Sequence, residues 1–125
     1  MKARGLVWLG TRTRNLDDTV RFFGDTLGLR KSYEEPDFTV FRLPNRDTVE
    51  VFGPGDTEHE HFDTGPVTGF LVDDVREARA DLEAAGISFL RPVHESDDSA
   101  AWSHFRGPDG TVLRGHHASE TRPEG

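Results

Sequence analysis

Apolar and polar side chains alternate through residues 5–13, GLVWLGTRT, with Val7, Leu9 and Thr11 on one face and Leu6, Trp8, Gly10 and Arg12 on the other. A period of two predicts a strand with one covered face. The period then changes to that of a helix. Leu16, Val20, Phe23 and Leu27 share one stripe, Asn15 stands at the N-cap with Asp18 three positions on, and Gly28 comes next as the stop. FTVFRL (38–43) and DTVEVF (47–52) read as strands about the turn PNRD.

The same plan recurs. VTGFLV (67–72) is a strand, Asp74 caps a helix with Glu77 at the capping-box position, and Val75, Ala78, Leu82 and Ala85 form its stripe before Gly86. ISFLRP (87–92), AAWSHF (100–105) and TVLRG (111–115) supply three more strands. Asn15 and Asp74 are 59 positions apart, Gly28 and Gly86 are 58, and Glu50 and Arg114 are 64, the excess falling in the loop VHESDDSA. A repeat at this spacing predicts an α+β chain of two tandem βαβββ modules, each needing the other to cover its sheet. The boundaries are module 5–52, linker 53–66 (GPGDTEHEHFDTGP), module 67–117 and polar tail 118–125, all within one domain of 125 residues.

Strand alternation also predicts which side chains point away from the helices. Glu50 and Phe52 lie opposite Val49 and Val51, Arg114 lies opposite Leu113, and Trp102 and His104 lie opposite Phe105. With Trp8, and with Phe38 or Phe41 facing them, these side chains are expected to line a cavity between curved sheets of mixed strand direction. The candidate ligand-binding residues are therefore Trp8, Phe38, Phe41, Glu50, Trp102, His104 and Arg114. His104 also has the chemistry of a general base near neutral pH.

Charge narrows the ligand. The net charge of −8 at pH 7 argues against nucleic acid, which requires a basic stripe. The acidic loops YEEPD (33–37), DTEHEHFD (56–63) and HESDDS (94–99) favour a cation, and the paired tryptophans favour a flat aromatic one. His59 and His61 read as a solvated loop. His116 shares the face of Arg114, and His117 points the other way. The absence of cysteine excludes disulfides and thiolate chemistry. No apolar run reaches membrane-spanning length and MKARGLVWLG has no signal-type core, so a cytoplasmic location is expected.

RNLDDTVRFFGDTLGL (14–29), FLVDDVREARADLEAAGISF (70–89) and RGPDGTVLRG (106–115), in that order, resemble the vicinal oxygen chelate superfamily, which includes glyoxalase I, extradiol dioxygenases and bleomycin-resistance proteins. The resemblance implies the glyoxalase/bleomycin-resistance fold and a homodimer. It also implies metal-ligand positions on the first and last strand of each module, which here hold Trp8, Glu50, Val67 and Arg114. One carboxylate among them does not suffice for a metal, and a guanidinium repels one. The expected character is that of the bleomycin-resistance branch: a binding protein with no cofactor, metal or catalytic residue, which sequesters an antibiotic-like natural product. The alternative is a superfamily lyase or oxidoreductase using a divalent metal or His104 and Glu50 as an acid–base pair.

Overall fold

The computed structural model describes residues 1–117, so the polar tail 118–125 lies outside the described residues. The chain forms two compact units, one spanning Trp8–Val67 and the other made of Met1–Val7 with the chain from Thr68 onward. The strands are β1 (Gly5–Arg12), β2 (Arg30–Glu35), β3 (Phe38–Arg42), β4 (Thr48–Phe52), β5 (Val67–Leu71), β6 (His94–Glu95), β7 (Ala101–Arg106) and β8 (Val112–His117). The helices are α1 (Leu16–Arg21) and α2 (Val75–Ala84). None among the described residues is long and apolar enough to cross a membrane.

In the first unit the strand order is β2-β3-β4-β1, with β1 parallel to β4 and the other pairs antiparallel. Phe41, Val49 and Val51 form the core, and Leu9, Leu16, Val20 and Phe23 pack on it. The Asn15 side chain accepts from the Asp18 backbone N–H, as the cap motif predicts. The predicted stripe departs at its end. Residues Phe22–Thr26 form a π-helical turn closed by a hydrogen bond from Leu27 N–H to the Phe22 carbonyl. This wider turn shifts the phase of the residues beyond it. Leu27 is left 54% exposed, and Leu29 enters the core in its place.

One expectation for this unit is corrected. Phe41 has no exposed surface and packs among the helix-facing side chains, so it lines no ligand cavity. Alternation from Val49 and Val51 through the β3–β4 register puts it there, since Phe41 pairs with Val49. β2 supplies the third strand that the βαβββ plan requires after α1, at a place that hydrophobic patterning does not announce, because all six of its residues are exposed.

The second unit repeats the plan as β5-β8-β7-β6, with β5 parallel to β8. Asp74 accepts from the N–H groups of Arg76 and Glu77. The His117 Nδ1 accepts from Val75 N–H at 3.0 Å, which gives this histidine a capping role at the same helix end. Val72, Val75 and Ala78 form a core cluster with Val93. ISFLRP is not a strand: Phe89 makes one isolated bridge to Phe105, and the short strand is His94–Glu95. The α2 residue Arg79 contacts this segment. Its guanidinium lies over the Phe89 ring at 4.6 Å and donates to the Arg91 carbonyl at 2.7 Å, so that carbonyl is engaged with α2 and not with a strand.

The π-helical turn makes a direct comparison possible. Phe41→Ala should cost about 3–5 kcal/mol, as for a buried aromatic ring, whereas Leu27→Ala should stay within about 0.5 kcal/mol of the parent. Urea denaturation checks both. A large loss at Leu27 would restore the unbroken helical stripe.

Candidate functional site

In the first unit the β2–β3 hairpin and the segment after β4 enclose a cleft of about 410 Å³. Its geometry begins at Asp37. This residue comes after Pro36 in a two-residue turn and has φ of 62°, the pattern of a type II turn. The Asp37 carbonyl accepts from Gly53 N–H at 2.8 Å, and its carboxylate accepts from Gly55 N–H at 2.9 Å. A Cβ on Gly53 would sit 3.1 Å from Asp37 Cα, and one on Gly55 would sit 2.2 Å from Asp37 Oδ2. Two glycines thus let the backbones meet and lock the hairpin tip onto the loop.

Aromatic rings floor the cleft. Phe38 lies nearly parallel to Phe52 (5.4 Å between centroids, 15°), and His59 lies nearly parallel on Phe52 (3.7 Å, 18°). Asp56 holds His59 by accepting from its backbone N–H and by contacting its Nδ1 at 3.1 Å. Arg12 Nη2 in turn donates to the Asp56 carbonyl at 3.0 Å. Glu35, Asp37, Asp56 and Glu58 put four carboxylates around these rings. Glu35 also accepts the hydrogen bond of Tyr33, which holds that phenol's pKa above its ordinary value.

Behind the rings stands Trp8. Its indole lies back over Gly10, where a Cβ would come within 1.9 Å of the ring. It meets Phe62 edge-on at 5.9 Å, and Phe62 meets Phe52 edge-on at 5.8 Å. Trp8 is buried and braces the stack through Phe62, a different position from the ligand-facing wall expected of it. Glu50 is half-buried and pairs in register with Gly10.

In the second unit the β7–β8 register pairs Trp102 with His116 and His104 with Arg114, so these four share one face. Arg79 donates to Ser103 Oγ at 3.2 Å, which marks the opposite face as the one toward α2. The Arg114 guanidinium lies 4.3 Å from the Trp102 ring centroid and bonds to His116 Nδ1 at 2.9 Å. From the other neighbouring strand, His94 stacks on Trp102 at 4.5 Å. Trp102 is expected to offer its ring to a flat ligand, but its own strand neighbours supply its stacking partners. Its evident work is to hold a guanidinium that is 3% exposed. A desolvated cation–π contact is worth about 2 kcal/mol, against a burial cost of several kcal/mol for an ion. The indole therefore offsets part of that cost, and the His116 acceptor a further part. His104 is buried, and its carbonyl accepts from Leu90 N–H at 3.0 Å.

The four positions that would carry metal ligands hold two buried side chains with no ligating atom (Trp8, whose indole N–H only donates, and Val67), one carboxylate (Glu50) and one buried guanidinium (Arg114). This donor set does not fit a divalent cation. Among the described residues no group of three His, Asp or Glu side chains could hold one. Of the expected ligand-binding residues, Phe38 lies in the cleft, Trp8 behind it and Phe41 under the sheet. Composition puts His59 in a solvated loop, yet it is half-buried on Phe52. The alternation that sets Phe52 on the face of Glu50 is the signal pointing to this stack.

A family model described as the glyoxalase/bleomycin resistance protein/dioxygenase superfamily matches residues 5–114. No curated protein matches the chain. Among solved structures, a hypothetical protein from Bacillus halodurans C-125 is similar with a TM-score of 0.73 at 12% identity, covering 96% of this chain and 98% of that one. A superfamily member from Vibrio splendidus 12B01 gives 0.63 at 24% identity, covering 94% and 100%. Methylmalonyl-CoA epimerase from Mycobacterium tuberculosis gives 0.68 at 14% identity, covering 94% and 89%. At these identities the likeness is one of fold.

The glycine cradle yields a prediction. Gly53→Ala should destabilise the protein by about 1–3 kcal/mol, since the added methyl meets backbone that cannot yield. Asp37→Asn, which keeps both acceptors, should cost less than about 1 kcal/mol. Thermal unfolding of the two variants checks the order, and an unchanged melting temperature in Gly53→Ala would remove the close Gly53–Asp37 approach from its role in the lock.

Proposed function

The chain belongs to the glyoxalase/bleomycin resistance protein/dioxygenase superfamily, and from that premise we propose that it sequesters a planar organic cation of antibiotic-like character, without a metal and without turning it over. The observation that carries this reading is the Phe38–Phe52–His59 stack beneath a rim of carboxylates. A flat ligand extends such a stack by offset contact with the outer ring. A positive charge on it then lies near Glu35 and Glu58.

The rim has unequal members. Asp37 and Asp56 are engaged in holding the loop, so their first role is architectural. Glu35, which also accepts from Tyr33, and Glu58 are exposed, so a cation can reach their carboxylates. The net charge of −8 raises the local concentration of cations over the whole surface, which speeds encounter more than it tightens binding. A cavity of about 410 Å³ falls within the range of small-molecule sites, and it suits two or three fused rings.

Proflavine, a fused-ring cation, is a suitable probe. Fluorescence polarisation should report saturable binding that is indifferent to EDTA, with the dye recovered unchanged. Phe38→Ala should weaken it about 10- to 100-fold, the usual loss for an aromatic anchor. Glu35→Gln with Glu58→Gln should weaken it and flatten its salt dependence. An unchanged dissociation constant in both variants, with folding intact, would move the ligand away from this cleft. Chemical conversion of the dye would replace sequestration with catalysis.

A further inference from the structure

A second cleft of the first unit, about 800 Å³, lies at the other end of the β2–β3 hairpin and has the opposite charge. Arg30, Lys31, Arg42 and Arg46 line it together with Leu29 and Leu43. Basic residues on an acidic protein are ordinarily scattered solubility charges paired with nearby acids, and that account does not apply here. Arg30 and Arg42 are directly opposite in the antiparallel register of β2 and β3. Like charges directly opposite destabilise a sheet, and their Cβ atoms stand only about 4.5–5.5 Å apart. Lys31 has a carboxylate partner in Glu34 at 3.0 Å. Among the described residues no carboxylate pairs with Arg30, Arg42 or Arg46. Arg46 stands at a positive φ of 73°, an uncommon conformation for a side chain of its size.

Protection of a sheet edge accounts for only part of this. β2 is the outer strand of its unit, and charge on an outer strand discourages pairing with other chains. Lys31, Glu34 and Glu35 already serve that purpose, and with mixed sign. Arg42 lies on β3, which is flanked on both sides, so edge protection does not require it. Guanidinium groups converging from neighbouring strands match the oxygens of a phosphate through paired hydrogen bonds. The overall negative charge does not forbid this, because screening confines the field of distant acids to about 8 Å at physiological salt.

We propose that this cleft binds a small phosphate-bearing organic anion, its phosphoryl oxygens held by Arg30 and Arg42 and its apolar body lying against Leu29 and Leu43. The site is separate from the acidic cleft, and the proposal stands independently of the function assigned to that cleft.

Phenyl phosphate is the probe, titrated calorimetrically in a low-salt buffer free of phosphate. Saturable binding is expected, with at least a tenfold rise in dissociation constant in Arg30→Gln/Arg42→Gln. All four side chains of that arginine–lysine set are exposed, so the fold should tolerate the change. Without phenyl phosphate the double variant should melt at the same temperature as the parent or higher, because the cross-strand repulsion is gone. A purely structural arginine pair would give a lower melting temperature. The proposal is overturned if phenyl phosphate does no more than sodium chloride of equal ionic strength, or if binding survives in the double variant. Sedimentation with phosphatidic acid vesicles in the absence of phenyl phosphate binding would also overturn it, by making the partner a membrane surface.

Discussion

Each unit depends on the parallel pairing of its first and last strands, β1 with β4 and β5 with β8. Parallel neighbours cannot be joined by a tight turn, so a crossover must carry the chain over one face of the sheet. A helix does so in both units, and the face it covers becomes the core. Side-chain parity is then decided for every strand. Phe41, Val49 and Val51 go under α1, and Phe38 and Phe52 go to the other side. The same pairing sets Gly10 beside Glu50 and Gly69 beside Arg114. In each unit a residue without a side chain therefore stands next to a long polar one.

The β2–β3 hairpin then separates charge along its length. Its turn carries Glu35 and Asp37, and its open end carries Arg30 and Arg42. Five residues of β3 at about 3.4 Å each place the ends more than a Debye length of about 8 Å apart. At physiological salt the two ends act as separate electrostatic environments, although they belong to one element. Their floors differ as well: parallel rings at the acidic end, aliphatic side chains at the basic end.

Much of this architecture is readable from residue order, and the departures have identifiable causes. Asn15, Asp74, Gly28 and Gly86 mark helix ends through backbone chemistry that neighbours do not override, and both N-cap side chains accept from N–H groups of the first turn. Leu27 misleads because a π-helical turn leaves no mark in hydrophobic spacing. β2 escapes notice because a fully exposed strand has no apolar side to alternate. ISFLRP has the composition of a strand, yet it meets β7 only through the Phe89–Phe105 bridge and the bond from Leu90 N–H to the His104 carbonyl, while Arg79 of α2 occupies the Arg91 carbonyl. The site divides in the same way. Alternation puts Phe52 on the face of Glu50 but leaves Phe38 and Phe41 both open, and the β3–β4 register separates them. His59 depends on a loop closing over the rings, and loop closure is set by Asp37 and two glycines far apart in the chain.

That closure bears on how the protein can change. The acidic cleft owes its shape to main-chain bonds from Gly53 and Gly55 to Asp37, and its chemistry to exposed side chains such as Glu35 and Glu58. Shape and chemistry are therefore inherited through different positions. Substitution at the rim can alter ligand preference while the frame keeps its stability, so new specificities are within reach of single mutations. At Gly53, Gly55 and Asp37 the tolerance is far narrower, and descendants that diverge in what they bind should keep these three residues together.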